Sequence, residues 1–388
     1  MAANEEWTLR GIARVPADLT TTGDNSAAAA PAVGIVDVSK AFDGTPVLRS
    51  VSLDIRRGEF LALLGGSGCG KTTLLRILAG LEVPDQGSVA IGGRDLTLAP
   101  PYDRPVNMMF QSYALFPHLS VVDNVAYGLR AAGTARRERE ELVAWALGLV
   151  RLGTLGHRRP AQLSGGQRQR VALARCLVKK PDVLLLDEPM AALDRNLRED
   201  MQRELVRIQR EIGMTFVLVT HDQDEAMSMA DRIAVMDQGR IVQCGTPAEI
   251  YARPASRFVA RFVGRVNLFE GRLDTADAAG PAVVTAAGVV IRLAGAPTVE
   301  SGSTCAAALR PEHVLISETP SGCGTDLIGV IEDFAYFGDT TRVVVRLTGG
   351  QLLEATFVNQ ARARPAVYTR GTTVHAGFDP AAVAVLLS

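Results

Sequence analysis

The chain has 388 residues, which is enough for two or three domains with a large buried core. Its 41 Lys and Arg residues and 42 Asp and Glu residues leave a formal net charge of −1, and no basic stretch typical of nucleic-acid binding is present. No stretch approaches the roughly 18 consecutive apolar residues of a membrane-spanning helix, so we do not expect the chain to form a channel itself.

Residues 1–32 contain a Thr-, Asn- and Ser-rich cluster and an alanine run without periodic apolar residues, so we predict a disordered leader. The segment starts with acidic residues and has no apolar core, which is not typical of a secretory signal. The five cysteines are odd in number and form no C-x-x-C pair, which favours a reducing compartment. The sequence therefore predicts a cytoplasmic protein.

A glycine-rich loop at residues 65–73 follows an apolar run at residues 60–64 and leads into a second apolar-rich run. The order strand, loop, helix directs backbone N–H groups and a helix N-terminus toward phosphates, and the glycines allow close approach. Lys71 adds a positive charge for the β- and γ-phosphates, and Thr72 adds a hydroxyl for Mg²⁺. A plain glycine-rich turn is the weaker alternative, because every fixed position of a phosphate loop is matched. The predicted nucleoside triphosphate site comprises Gly65, Gly66, Ser67, Gly68, Cys69, Gly70, Lys71, Thr72 and Thr73.

A second candidate anion site lies at residues 163–167, where a stretch with apolar residues at helical spacing begins. Ser164 is a favourable N-cap, and Gly165 and Gly166 expose backbone N–H groups at the positive end of the helix dipole. Gln167 completes the segment. A plain capped helix is the alternative. The position of the segment about twenty residues before an Asp-Glu strand, in a chain with a phosphate loop, favours the anion site.

That strand covers residues 183–186, which are all aliphatic, and ends in Asp187 and Glu188. Such a run is typical of a buried strand in a parallel sheet, and α/β sheets carry their chemistry at the carboxyl ends of strands. Asp187 is suited to hold the Mg²⁺ shell through water. Glu188 points differently and is suited to polarise an attacking water. Two surface acids in a turn are the alternative, which fits poorly with four preceding aliphatic residues.

With these motifs the chain resembles the ATP-binding subunits of ABC transporters, and residues 163–167 are similar to the signature motif of that family. The resemblance implies an α/β P-loop NTPase fold of the ABC type, with a mixed sheet and a helical subdomain, at residues 33–255. The helical subdomain is expected at about residues 112–180. Short β-rich runs separated by glycine turns follow, and by resemblance residues 256–388 form a mostly β, OB-like regulatory (TOBE) domain.

The resemblance also implies roles for four further residues. Phe42 is similar to the aromatic that stacks on adenine, although by itself it fits a core aromatic equally well. Gln111 is similar to the glutamine that links Mg²⁺ to the transport partner, and Asp194 to the aspartate of the dimer-communicating loop. His221 is similar to the histidine that contacts the γ-phosphate, with a purely structural histidine as the alternative. Ala191 stands where the family often has serine, so any contribution of a serine hydroxyl to the site is missing. We expect the activity to be less finely adjusted but not lost.

Two anion sites that lie far apart on one protomer can hold one ATP together only if they come from different protomers. We therefore expect a head-to-tail homodimer that buries two ATP molecules. Each ATP would be held by Lys71, Thr72 and Gln111 of one copy and by Ser164 and Gly166 of the other. Closure on ATP and separation after hydrolysis would supply a mechanical stroke.

The segment at residues 112–120 is unusually apolar and aromatic for a connection, and we expect it to dock an integral-membrane permease. Local core packing is the alternative. The resemblance further implies an indirect partnership with a periplasmic or extracellular solute-binding protein, and a peripheral location on the cytoplasmic face of the inner membrane. No nucleic-acid partner is expected.

The solute is inferred from resemblance alone. Three segments, at residues 100–110, 187–190 and 357–364, are similar to those of polyamine (putrescine/spermidine) importer ATPases, and most of all to the putrescine type. Sugar, ferric iron and sulfate importers have ATPases of the same architecture and remain alternatives. A soluble ATPase that acts on nucleic acid or ribosomes is a further class. Such proteins usually have a long coiled-coil insertion or two nucleotide domains, and neither is present in this sequence.

Overall fold

The computed structural model describes residues 30–191, 193–276, 280–295, 300–359 and 369–387. The predicted leader therefore lies outside the described residues except for residues 30–32. Within these three, Ala32 is buried and donates its N–H to the carbonyl oxygen of Ile55 at 2.8 Å. The segment at residues 357–364, used above for the polyamine resemblance, lies outside the described residues from residue 360 onward.

The N-terminal part of the described chain alternates strands and helices. Its strands are β1 (Val33–Phe42), β2 (Thr45–Ile55), β3 (Phe60–Gly65), β4 (Gln86–Ile91), β5 (Arg94–Asp95), β6 (Val106–Met109), β7 (Val183–Asp187), β8 (Thr215–Thr220), β9 (Arg232–Asp237) and β10 (Arg240–Gly245). Its helices are α1 (Lys71–Leu78), α2 (Val121–Ala131), α3 (Arg136–Leu149), α4 (Gly165–Leu177), α5 (Arg195–Ile212), α6 (Gln223–Met229), α7 (Pro247–Ala252) and α8 (Arg257–Phe262). None of the helices in the described ranges combines the length and the hydropathy that crossing a bilayer requires.

The central sheet is mixed, with the strand order β10-β9-β3-β8-β7-β6. Only the β9–β10 pair is antiparallel among the strands described in this sheet. Parallel strands are covered on both faces, and every residue of β3 and β8 is buried. Successive side chains of β7 point to opposite faces. Val183 and Leu185 join the core around α1, whereas Leu184 and Leu186 join the core formed with α2, α3, α4 and α5.

Helix α1 lies between two sheets. On one side it packs on the central sheet, and on the other it packs on an antiparallel sheet with the strand order β2-β1-β4-β5. Its buried residues Leu74, Leu75, Ile77 and Leu78 belong to the core shared by both sheets. The helix that follows the phosphate loop is therefore held from both sides.

The C-terminal part of the described chain is built from strands. They are β11 (Asn267–Asp274), β12 (Ala282–Thr285), β13 (Val290–Arg292), β14 (Thr304–Leu309), β15 (Leu315–Ser317), β16 (Thr325–Tyr336), β17 (Thr340–Leu347), β18 (Leu352–Val358), β19 (Thr373–Phe378) and β20 (Val383–Leu387). They form two sheets, with the orders β13-β12-β11-β14-β20 and β15-β19-β16-β17-β18, whose apolar faces share one core. The predicted fold class, a mixed α/β sheet with helices followed by a mostly β region, is confirmed. The domain boundaries at residues 32/33 and 255/256 stay predictions.

Arg310 attaches the C-terminal strands to the preceding helices. Its guanidinium is buried and donates to the carbonyl oxygens of Tyr251 (2.9 Å), Ala260 (3.1 Å) and Arg265 (2.9 Å). It also lies 4.1 Å from the centre of the Tyr251 ring. The Tyr251 hydroxyl donates to Glu312, and burial raises the pKa of Tyr251 to about 12. These bonds cross from the loop after β14 to α7 and α8.

A buried guanidinium also holds the carboxyl end of α1. The last carbonyl groups of a helix have no partner within it, so they need other donors. Arg104 is 6% exposed. It donates to the carbonyl oxygens of Ile77 (2.7 Å), Leu78 (3.0 Å), Ala99 (2.9 Å) and Thr97 (3.1 Å). Because α1 is short, fixing this end also fixes the direction in which the phosphate loop enters the helix.

We predict that Arg104→Met lowers the free energy of unfolding by about 3 kcal/mol, because four carbonyl oxygens lose a charged donor. The measurement is urea unfolding followed by circular dichroism. The matched control is Arg94→Met at an exposed position of β5, where we expect a change below about 0.5 kcal/mol. Equal stabilities of the two variants would contradict the proposed role of the guanidinium.

Candidate functional site

The glycine-rich loop connects the end of β3 to the start of α1, as the sequence predicts. Gly70, the N-cap of α1, has a φ of 103°, a conformation that favours glycine. A Cβ there would lie 2.7 Å from Cδ2 of Leu48 and 2.9 Å from the carbonyl oxygen of Val47. A Cβ at Gly65 would lie 2.5 Å from the carbonyl oxygen of Met236. The loop therefore needs glycine at both ends for steric reasons.

The Lys71 ammonium lies inside the loop. The residue is 6% exposed, and its Nζ donates to the carbonyl oxygens of Gly65 and Gly66, both at 2.8 Å. A buried ammonium needs anionic or carbonyl acceptors on all sides. Phosphate oxygens in the loop would be stronger acceptors than these two carbonyl groups. Lys71 is therefore positioned to bind an anion that enters the loop.

Thr72 and Asp187 lie next to each other although 115 residues separate them. The Thr72 hydroxyl donates to Oδ1 of Asp187 at 3.1 Å. Burial raises the pKa of Asp187 above its ordinary value, although the Thr72 hydroxyl acts in the opposite direction. Hydroxyl and carboxylate oxygens are ligands that Mg²⁺ prefers. Among the described residues, no group of three or more His, Cys, Asp or Glu side chains could hold a metal. A Mg²⁺ ion here would need phosphate oxygens and water as its remaining ligands.

The Glu188 carboxylate is shared between two other segments. Its Oε1 lies 3.0 Å from Nδ1 of His221, and its Oε2 accepts from Nε2 of Gln111 at 3.4 Å. The residue has a φ of 45°, and its N–H donates to the carbonyl oxygen of Val219 at 3.0 Å. A left-handed conformation of a residue other than glycine costs of order 1–3 kcal/mol and concentrates at functional sites. The structure thus brings Gln111, Glu188 and His221, which the sequence analysis singled out separately, into contact.

Ser164 caps α4 in a reciprocal arrangement. Its Oγ accepts from the N–H of Gln167 at 3.3 Å, and its own N–H donates to Oε1 of Gln167 at 3.0 Å. Gly165 and Gly166 form the first turn, and neither has a heavy atom closer than 3.8 Å to an added Cβ. Among the described residues, no hydrogen bond or ion pair joins this helix start to the phosphate loop. Helices α1 and α4 pack on opposite faces of the central sheet, so the two predicted anion sites of one copy are apart.

Asp194 is the N-cap of α5, and its Oδ1 accepts from the N–H of Leu197 at 3.0 Å. A Cβ added at Gly166 would lie 3.8 Å from Cδ2 of Leu197, so the starts of α4 and α5 are neighbours. Asp194 therefore lies beside the signature segment. Its role as the aspartate of a dimer-communicating loop stays a prediction.

Phe42 is 42% exposed, so the alternative of a core aromatic is wrong. Phe42 ends β1 and pairs with Thr45, the first residue of β2. Shortly afterwards, Val47 and Leu48 of β2 border the space that a Cβ on Gly70 of the phosphate loop would occupy. An exposed ring next to the loop is available for stacking on a base.

The segment at residues 112–120 was interpreted from sequence as a docking site for a permease or as local core packing. Tyr113 and Leu115 pack against the core that contains α2, α3 and α4. Phe116 is half-buried and lies 4.5 Å from the ring of Tyr127, which is itself exposed. The first part of the segment is therefore core packing, whereas the aromatic pair is partly exposed, and its role in docking stays a prediction.

Arg198 joins two loops of the site and was not among the residues predicted from sequence. Its guanidinium pairs with Asp222 at 3.0 Å and donates to the carbonyl oxygen of Leu193 at 3.3 Å. Leu193 precedes Asp194, and Asp222 follows His221. A partly buried cation on an amphipathic helix has no sequence signal for such a role, because its carboxylate partner lies 24 residues further along the chain.

Two family profiles match the chain. The ABC transporter profile covers residues 48–191, which include the phosphate loop, the signature segment and Glu188. The TOBE domain profile covers residues 307–386 in the C-terminal strands.

Curated relatives match almost the whole chain. The spermidine/putrescine import ATP-binding protein PotA of Marinobacter nauticus is 49% identical over 84% of this chain and 88% of its own length. The putrescine transport ATP-binding protein PotG of Escherichia coli is 46% identical over 92% of this chain and 95% of its own length. Among solved structures, cbiO1 from Clostridium perfringens, part of the ABC transporter complex cbiONQ, matches with a TM-score of 0.54 and 31% identity. That match covers 57% of this chain and 90% of cbiO1.

We predict that Gly70→Ala weakens ATP binding by a factor of roughly 10 to 100, because the loop must leave a conformation in which a Cβ would collide with β2. Titration with a fluorescent ATP analogue measures the dissociation constant. Gly148→Ala is the control, because this helical glycine has open space around it and alanine favours the helix. Unchanged affinity in the Gly70 variant would contradict the steric argument.

Proposed function

Because the chain belongs to the family of ABC transporter import ATP-binding proteins, we propose that it is the ATP-hydrolysing subunit of an importer for polyamines of the putrescine and spermidine type. The observation that carries the catalytic part of this proposal is the contact of the Glu188 carboxylate with both Gln111 and His221. These contacts lie at the carboxyl edge of the sheet that also carries the phosphate loop.

ATP is proposed to bind with its phosphates in the loop at residues 65–73. Lys71 exchanges its bonds to two loop carbonyl groups for bonds to phosphate oxygens, and the N–H groups at the start of α1 face the same anion. Phe42 stacks on the adenine. Thr72, Gln111 and Asp187 would hold Mg²⁺, directly or through water, and the ion would offset the negative charge of the β- and γ-phosphates.

In hydrolysis, Glu188 orients and polarises the attacking water. Its carboxylate is held by neighbours on two sides, so it starts from a fixed direction and loses little entropy when a water binds. His221 contacts the γ-phosphate from the end of β8. Gln111 couples changes at the nucleotide site to the segment at residues 112–120.

The complete site is proposed to need two copies of the chain. Ser164, Gly165, Gly166 and Gln167 of a second copy would contact the γ-phosphate of the ATP held by the first. The separation of the two anion sites within one copy supports this head-to-tail homodimer. Asp194 lies beside the signature segment and would couple the two ATP sites of the homodimer to each other.

The proposed transport role follows from the relatives. They span most of this chain, and several are named as spermidine/putrescine or putrescine ATP-binding proteins. The permease would contact the aromatic pair Phe116 and Tyr127 from the membrane, with the subunit on the cytoplasmic face of the inner membrane. A solute-binding protein outside the membrane would deliver the polyamine, and no nucleic acid takes part. We propose residues 33–255 as the nucleotide-binding domain and residues 256–388 as the regulatory domain.

We expect Glu188→Gln to lower the turnover number by at least about 100-fold and to leave ATP affinity within about threefold, because only the general base is lost. The variant should form a stable dimer with saturating Mg-ATP, measured by light scattering after size-exclusion chromatography. Glu199→Gln, at an exposed position of α5, is the control with parental activity. A Glu188→Gln variant that hydrolyses at the parental rate, or that stays monomeric, would refute the mechanism.

The polyamine assignment is tested by reconstituting the chain in proteoliposomes with the permease encoded beside its gene. We expect binding protein loaded with putrescine or spermidine to raise ATP turnover by roughly tenfold, while sugar-, sulfate- or iron-loaded binding proteins do not. Liposomes that carry the Glu188→Gln chain control for other ATPases. Stimulation by one of the other solutes, or copurification of the chain with ribosomes and without a membrane protein, would exclude the polyamine role.

A further inference from the structure

The carbonyl oxygen of Pro189, the residue after Glu188, accepts two hydrogen bonds from other segments. Nε2 of Gln169 donates to it at 2.9 Å, and the hydroxyl of Tyr113 donates to it at 3.3 Å. Gln169 belongs to α4, the signature helix, and Tyr113 lies two residues after Gln111. Two elements of the helical region therefore meet at one backbone atom next to the proposed general base.

These bonds fix the chain on the carboxyl side of Glu188. On its amino side, the Glu188 N–H is held by the carbonyl oxygen of Val219. Glu188 is left-handed, with a φ of 45°, and Tyr113 is left-handed too, with a φ of 60°. Such conformations persist only where the surroundings over-determine them. The bonds on both sides of Glu188 supply that constraint.

Gln169 is not a typical packing residue for its position. It is fully buried, and its Oε1 has no hydrogen-bond partner among the described residues. A buried unpaired amide oxygen is unfavourable, and an aliphatic side chain of the same size would avoid it. The bond to Pro189 is the one that Gln169 makes through its side chain in the described structure, so that bond is what the amide contributes.

The donors Gln169 and Tyr113 are themselves connected. Arg175, two turns after Gln169 on α4, donates to the carbonyl oxygens of Tyr113 at 2.8 Å and Ala114 at 2.6 Å. The signature helix and the start of the segment at residues 112–120 therefore act on Pro189 as one unit.

We propose that Tyr113 and Gln169 are positioning residues for hydrolysis, which hold the Pro189 carbonyl and thereby keep the Glu188 carboxylate between Gln111 and His221. This inference rests on the proposed role of Glu188. Neither side chain touches the reacting atoms. Loss of either donor lets the backbone after Glu188 relax, so that the carboxylate spends less time in the orientation that polarises water.

The test uses the full-length chain with Mg-ATP and the variants Tyr113→Phe and Gln169→Met, which keep the ring and the side-chain length. We expect each variant to lower kcat by roughly 10- to 100-fold, as misplacement of a catalytic group does, with KM for ATP within about twofold of the parental value. Tyr102→Phe and Gln202→Met, which remove the same groups outside the site, should keep the parental kcat. The rate is divided by the concentration of ATP-binding sites, so unfolded chains do not lower the measured kcat.

The outcomes separate this inference from the proposed function. If Glu188→Gln retains parental turnover, the role of Glu188 is wrong and the inference has no basis. If Glu188→Gln is inactive but Tyr113→Phe and Gln169→Met keep the parental kcat per ATP-binding site, the mechanism stands and the positioning role is refuted. A rise in KM with unchanged kcat would also refute it, because that result would assign both residues to ATP binding.

Discussion

The parallel pairing of β3, β8 and β7 is the constraint on which the rest of the site depends. Leu64 of β3 pairs with Thr220 of β8, and Asp187 of β7 pairs with Val219, so the three strands end at one edge of the sheet. The phosphate loop, the Asp-Glu pair and the histidine follow these ends. Every residue of β3 and β8 is buried, so both faces of these strands pack against neighbouring elements.

The helical region acts on this edge through few but specific bonds. Gln111 reaches the Glu188 carboxylate, and Tyr113 and Gln169 reach the adjacent Pro189 carbonyl. Arg198 joins the loops that precede α5 and α6. Since Glu188 has a strained backbone, its conformation depends on these neighbours as well as on its own strand. Movement of these helices relative to the sheet would therefore displace the Glu188 carboxylate directly.

How well the sequence predicts a feature of this protein depends on how local that feature is. The phosphate loop and the capped α4 were predicted from contiguous residues, because strand, turn and helix signals are local. The core alternative for Phe42 was wrong, since an aromatic at the end of an edge hairpin can be exposed and sequence alone does not reveal burial. The segment at residues 112–120 divides between core and surface, which its apolar composition could not distinguish.

By itself the sequence determined the fold class, the loop that receives phosphates, and the identity of the acids at the end of β7. These follow from short-range patterns of glycine, apolar and capping residues. Only the tertiary structure decided that Thr72 meets Asp187, that Glu188 lies between Gln111 and His221, and that Gln169 and Tyr113 share the Pro189 carbonyl. The physical reason is that these contacts join residues 20 to 115 positions apart, and their geometry is set by strand register and helix packing, which no local pattern encodes.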